Sequence, residues 1–225
     1  MIQRFLLALI VVTLSAASSA ADYSISVLEE AAPADELAPE IAKQLSPTGF
    51  KVMRSETSTL CHIWLCKQWN VADGFKPTAE LQYPFQQGQL VGVIQYKRRG
   101  EDFREQDVNR GVYTLRYALQ PTDGNHEGTS ATRDFLLVVK AEDDKSPEPM
   151  DVEKLFAASK EAAESSHPGL LAMKSPSPEA KTEKPLIREQ AEDEWWIISI
   201  TGAAAVGDKA SPLTMDVVIM GHADE

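Results

Sequence analysis

Side chains that switch between apolar and polar at every second residue constrain this chain most. Tyr113, Leu115, Tyr117 and Leu119 alternate with Thr114, Arg116 and Ala118, entered from Gly111 and stopped by Pro121. Leu213, Met215, Val217 and Ile219 alternate with Thr214 and Asp216 in the same way. A period of two fits a strand with one buried face and no helix, so β-structure must dominate. Further strands are predicted over residues 23–28, 50–54, 60–68, 90–96, 135–139 and 195–200. The last two are almost continuously apolar, as strands covered on both faces are. Turn chemistry punctuates the series at Pro47-Thr48-Gly49, Asp73-Gly74, Gln87-Gly88, Arg99-Gly100 and Asp123-Gly124. Many short strands at such spacing predict a mainly β fold, a β-sandwich or open β-barrel, with one or two peripheral helices.

Two helices are predicted. Residues 35–45 place Leu37, Ile41 and Leu45 on one face, with Pro39 limiting where a helix can begin. Residues 151–166 start at a capping Asp151 and carry a narrow apolar stripe of Val152, Leu155, Phe156 and Ala163, which suits the surface of the sheet. His167-Pro168-Gly169 ends that helix. Residues 141–150 (AEDDKSPEPM) and 174–194 are rich in Pro, Glu and Lys, so both read as solvated, mobile loops.

The first 21 residues read as a signal peptide. Arg4 precedes an apolar run from Phe5 to Val12, which fades into small residues around Ser18-Ser19-Ala20. That run is shorter than the ~20 apolar residues a bilayer span needs, and no later segment approaches that length. The expectation is an exported chain, periplasmic or extracellular, with residues 22–225 forming a single β-rich domain and no transmembrane segment after cleavage. With 22 Lys and Arg against 34 Asp and Glu, the net charge is −12. This balance argues against nucleic acid and anionic membrane surfaces as partners, since both select Lys/Arg clusters. The one short cluster, Lys97-Arg98-Arg99, reads as a solvated strand end.

Export matters for the two cysteines, because disulfides persist outside the cytoplasm. Cys61 and Cys66 bracket His62-Ile63-Trp64-Leu65, a stretch without turn residues. On a strand their Cα atoms would lie about 16 Å apart at ~3.3 Å per residue. A disulfide needs about 7 Å or less, so the strand predicts two buried free thiols, and a tight loop in its place would allow the disulfide. A metal site built on Cys61, His62 and Cys66 meets the same objection, because alternation turns Cys61 away from the other two. The simpler expectation is a packed core strand in which His62 bonds a backbone carbonyl.

The most specific local pattern is Asp123-Gly124-Asn125-His126-Glu127-Gly128-Thr129-Ser130-Ala131-Thr132-Arg133-Asp134. Its register approaches a calcium loop: Asp123, Asn125, Glu127 and Asp134 could supply hard oxygens, Thr129 its backbone carbonyl, and Gly128 the sharp turn. Strand flanks, Ser130 at the aliphatic anchor and a short Asp134 at the close oppose that reading. Any calcium held there would bind weakly, in the millimolar range, and a polar hairpin loop explains the same residues. No other cofactor is implied.

The run Gly111-Val112-Tyr113-Thr114-Leu115-Arg116-Tyr117, with Gln120-Pro121, Asp123-Gly124-Asn125-His126 and Asp134-Phe135, resembles exported bacterial β-sandwich proteins of unknown function. The resemblance extends to Ile63-Trp64-Leu65 and His167-Pro168 and covers about half the chain. It implies an exported β-rich fold and transfers no activity.

The sequence holds no G-x-S-x-G, H-E-x-x-H, phosphate loop or C-x-x-C-H. The expected role is a non-catalytic binding or envelope-associated module whose partner is a protein, a glycan or a small molecule. Such a module should expose an apolar or aromatic patch, to which Trp69, Tyr83 and Phe85 are candidates; core packing is their other reading. The alternative is an exported enzyme, such as a hydrolase, that gathers His62, His126 or His167 with carboxylates in a cleft.

Overall fold

The computed structural model describes residues 23–122, 132–178 and 184–222. Its strands are β1 (Ser24–Leu28), β2 (Gly49–Ser55), β3 (Ser58–Leu65), β4 (Trp69–Asn70), β5 (Leu90–Tyr96), β6 (Gly100–Glu101) and β7 (Asp107–Val108). They continue with β8 (Gly111–Leu119), β9 (Asp134–Lys140), β10 (Leu170–Lys174), β11 (Leu186–Gln190), β12 (Trp195–Val206) and β13 (Lys209–Met220). One path, β1-β2-β3-β5-β8-β9-β10-β13-β12-β11, links most of them into a single sheet. Every pairing on it is antiparallel. The short β4 joins β12 in parallel, and β6 and β7 make a separate hairpin. The path breaks sequence order once: from β10 the chain crosses to β11 and returns through β12 and β13.

The two ends of the path, β1 and β11, come alongside each other, and the ring of Tyr23 meets that of Trp196 at 4.7 Å across the seam. The fold is mainly β, as expected: a nearly closed, barrel-like sheet with two helices. Its inner face follows the predicted alternation. Tyr113, Leu115 and Tyr117 of β8 join Leu136 and Val138 of β9 and Met215, Val217 and Ile219 of β13 in the main core. The outer face of β9 is covered as well, which explains its continuous apolar run. Phe135 packs with Phe103, Trp195 and Ile197, while Leu137 and Val139 pack beneath Leu155. Leu155 belongs to α2 (Val152–Ala162), whose cap is the expected one, Asp151 accepting from the Lys154 N–H at 3.2 Å.

Several expectations are corrected. The helix over residues 35–45 is instead a 3-10 turn, Ala34–Glu36, and one α-turn, α1 (Pro39–Ala42). Pro39 forces Ala38 into extended backbone (ψ 134°), so the helix can begin only at the proline. Leu37, Ile41 and Leu45 are nonetheless all buried. Residues 174–194 do not form one spacer. They include the end of β10 and all of β11, which pairs with β12 at the end of the described path and whose half-exposed Arg188 and Gln190 and exposed Glu189 disguise it as linker. In residues 141–150, Ala141 and Asp144 are buried. The strand over residues 60–68 stops at Leu65, and Cys66 makes an isolated bridge to Leu45. Both cysteines are free and buried, and burial pushes the Cys66 thiol up to about 12. Trp69, Tyr83 and Phe85 form no surface patch: they pack together in the core with Tyr117. Among the described residues no helix is long and apolar enough to cross a membrane.

Candidate functional site

The outer face of β8 presents Thr114, Arg116 and Ala118 in succession. The first two are fully buried, although the sequence pattern gives them to solvent. Residues 144–150 lie across them as a strap. Arg116 Nε donates to Asp144 Oδ2 at 2.6 Å and Nη2 to Asp144 Oδ1 at 2.8 Å, and the Thr114 hydroxyl donates to the same carboxylate at 2.6 Å. The remaining guanidinium donors go to the carbonyls of Gly88, Ser146 and Glu148. All five N–H groups of Arg116 therefore have acceptors, which a buried guanidinium requires. The strap's far end docks on Gly88, which accepts from the Met150 N–H at 3.0 Å. Gly88 has φ +81°, and a Cβ there would stand 1.9 Å from the Met150 carbonyl oxygen, so only glycine fits.

Beyond Arg116 the strap ends and a groove of about 260 Å³ opens. Its floor is Ala118, Phe135, Leu137 and Leu170, from three neighbouring strands. One wall is α2, through Phe156 and Lys160 at an i, i+4 spacing that puts both on one side of the helix. The other is the turn between β6 and β7, through Phe103 and Arg104. His167 and Pro168 line the groove beyond α2.

Buried polar groups fix both walls. Asp102, 3 % exposed, accepts through Oδ1 from the N–H groups of Arg104 and Gln106, each at 2.9 Å. Its Oδ2 accepts from Gln106 Nε2 at 2.8 Å and from the Leu170 N–H at 3.0 Å, which ties the turn to β10. The Phe103 N–H returns a bond to the Leu170 carbonyl at 2.9 Å. On α2, the buried Ser159 hydroxyl donates to the Gly169 carbonyl at 2.9 Å. An apolar cleft framed this way is preformed, as small-molecule sites usually are. A larger depression of about 690 Å³ lies beside residues 35–39, but Asp35 and Glu36 face Lys140 and Lys145 there, a rim of mixed charge.

The predicted site residues fall elsewhere. Asp123, Asn125, Glu127 and Thr129 lie outside the described residues, as does His126. Asp134 is described, and it points into the barrel. Its carboxylate accepts from the Gln82 N–H at 2.9 Å, the Tyr83 N–H at 3.3 Å and the Tyr117 hydroxyl at 2.5 Å. Burial pushes this carboxyl above its ordinary value, against the pull of those three bonds. Tyr83 extends the polar system: its hydroxyl donates to the Lys174 carbonyl at 2.6 Å and accepts from the Asp216 N–H at 2.9 Å. Asp216, fully buried, pairs with Arg188 at 2.7 Å.

His62 is buried against the edge of Trp64, and its Nε2 has no partner, in place of the expected carbonyl bond. Burial and the charges of Lys97 and Lys51 lower its pKa, so it is held neutral. His222 Nδ1 stands 3.7 Å from Glu105 at the surface. No cluster of three or more His, Cys, Asp or Glu side chains suited to a metal occurs among the described residues. The sequence reading used Ala118 and Phe135 only as strand residues and Phe156 only as helix stripe, and assigned none of them to a site. Phe156 with Lys160, and Phe103 with Arg104, were the visible signals, each an aromatic beside a cation.

No family model, curated protein or solved structure matches this chain. The groove's own chemistry therefore carries the functional reading.

Proposed function

We propose that the protein is an exported, non-catalytic binding module that takes a small apolar ligand in the groove between α2, the β6–β7 turn and the outer face of β8, β9 and β10. The observation behind this reading is the groove's open apolar floor between walls that buried hydrogen bonds hold apart. Elsewhere on the outer face of the same strand, the chain covers its own surface. A cleft that stays open beside one so thoroughly closed has room for a ligand, and its lining is mostly apolar where the larger depression beside residues 35–39 is rimmed by charge. Export rests on the leader-like first 21 residues.

The test is a neutral fluorescent probe, N-phenyl-1-naphthylamine, titrated into the protein. Saturable enhancement with one probe per chain is expected, and Ala118→Leu, which fills the floor, should remove it while leaving the melting temperature within a few degrees. Absence of saturable binding, or binding indifferent to Ala118→Leu, would overturn the assignment.

A further inference from the structure

The rim of the groove has the wrong sign for the molecule around it. The chain carries a net charge of −12, yet among the described residues the charged or ionisable side chains lining the groove are Arg104, Lys160 and His167, with no Asp or Glu. Of the acids close in sequence, Asp102 is buried and bonded to N–H groups and Gln106, and Glu161, exposed on α2, does not line the groove. Glu164, four residues beyond Lys160, accepts from Asn109 Nδ2 at 3.0 Å, and Glu105, next to Arg104, faces His222. Among the described residues no ion pair engages Arg104 or Lys160. Arg116 and Arg188, by contrast, each hold a buried carboxylate. Here two full cations and a histidine are left around an apolar floor.

We propose that the groove's ligand is a single-chain monoanionic amphiphile, with its apolar body on Phe103, Phe135, Phe156 and Leu170 and its anionic head at Arg104, Lys160 and His167. This rests on the binding role proposed above and names the ligand class. Size fits the assignment: 260 Å³ equals about nine water volumes at ~30 Å³ each. That suits a medium-length acyl or aryl-alkyl body and leaves no room for a second chain. Charge supplies selectivity. Over most of an acidic surface anions are repelled, so a local cationic rim beside low-dielectric walls concentrates them at one place. Charge-assisted hydrogen bonds from Arg and Lys then fix the head while the floor holds the body.

The experiment is displacement of the neutral probe by three ligands of equal chain length, kept below their micellar concentrations: decanoate, decanol and decyltrimethylammonium. Each exposed charge contact changes affinity by a factor of about two to five, so Arg104 and Lys160 together favour decanoate over decanol by roughly tenfold. Decyltrimethylammonium should be weakest, and the preference for decanoate should shrink as salt rises. The double variant Arg104→Glu/Lys160→Glu should reverse the order of the three ligands, each displacement being read against the probe affinity measured on that variant. Lys160→Arg should retain the original order. Equal displacement by decanoate and decanol, or an order untouched by the double variant, would overturn the anionic ligand and leave the groove standing. Failure of the neutral probe to bind would instead remove the binding role itself.

Discussion

The outer face of β8 is finished in two opposite ways within five residues. At Thr114 and Arg116 the strand carries polar groups that are sealed under the strap, with all five guanidinium donors bonded. At Ala118 it carries a methyl group, itself only 2 % exposed, beside which the groove opens between α2 and the β6–β7 turn. Buried charge demands full satisfaction, because an unpaired ion in a low-dielectric setting is costly. An apolar floor makes no such demand and can stay partly uncovered. The polar end is therefore the rigid, structural one, and the apolar end is left for a ligand.

This contrast breaks most visibly at Asp144. Asp144→Ala would leave the Arg116 guanidinium buried and unpaired, at a cost of about 3–5 kcal/mol. For a domain of this size, that lowers the melting temperature by roughly 10 °C. Replacing both partners, Arg116→Leu with Asp144→Leu, should cost less than Asp144→Ala alone, because no orphaned charge remains. Calorimetry on the three proteins checks this. A double variant as unstable as the single one would mean that the strap is held mainly by the carbonyl contacts.

Gly88→Ala attacks the strap from its other end and should cost less, about 2 kcal/mol for a non-glycine residue in left-handed backbone. The added methyl also collides with the Met150 carbonyl, so the strap must shift. Limited proteolysis should then cut within residues 141–150 faster than in the parent, with β8 still protected.

Sequence legibility follows the same division. Alternation found β8 and β13, and the continuous apolar runs identified β9 and β12 as strands covered on both faces. Alternation could not reveal that Arg116 is buried. It stands at a polar position, its partner Asp144 lies 28 residues away, and AEDDKSPEPM has the composition of solvated chain. A buried ion pair looks in sequence like two surface residues. β11 was hidden for a related reason, since an end strand can keep Arg188, Glu189 and Gln190 partly in water. β10 was lost to the turn reading of His167-Pro168-Gly169, although Leu170–Lys174 follows it immediately. The groove was illegible because its floor and walls come from three strands, a helix and a turn, and only tertiary structure brings them together.

Asp134 offers a subtler test, because it is the inner-face counterpart of Arg116. Its folded pKa is raised, chiefly by burial, so the folded protein binds the proton more tightly than the unfolded chain does. Stability from this group is then fullest at acid pH and is lost as pH rises from the ordinary carboxylate range through the raised value. Asp134→Asn cannot titrate and should flatten that part of the stability–pH curve; its one carbonyl oxygen can keep the Tyr83 and Tyr117 bonds, while its NH2 group cannot accept from the Gln82 N–H, so its overall stability should be lower at every pH. Denaturant unfolding of both proteins at closely spaced pH values measures it. A parent whose stability rises with pH in that window, with the rise absent from Asp134→Asn, would mean the carboxylate is stabilised by its three hydrogen bonds more than burial opposes it.

The smallest expected effect is that of calcium on the segment joining β8 to β9, directly after the open end of the strand. Hypothetical binding at ten times the dissociation constant would stabilise the fold by about 1.4 kcal/mol. That corresponds to roughly 3–5 °C in melting temperature, well within reach of a thermal scan. We expect no such shift from millimolar calcium. The closing ligand of the frame, Asp134, already has one oxygen accepting from the Tyr117 hydroxyl and the Tyr83 N–H and the other from the Gln82 N–H. Recruiting it would strip bonds from two buried N–H groups and a buried hydroxyl, a loss that weak calcium ligation does not offset. Asp134→Ala is a poor probe because it damages the core, so Asp123→Ala is the informative variant. It should match the parent with and without calcium. A calcium-specific rise in melting temperature that magnesium does not reproduce and Asp123→Ala abolishes would show that the segment binds metal.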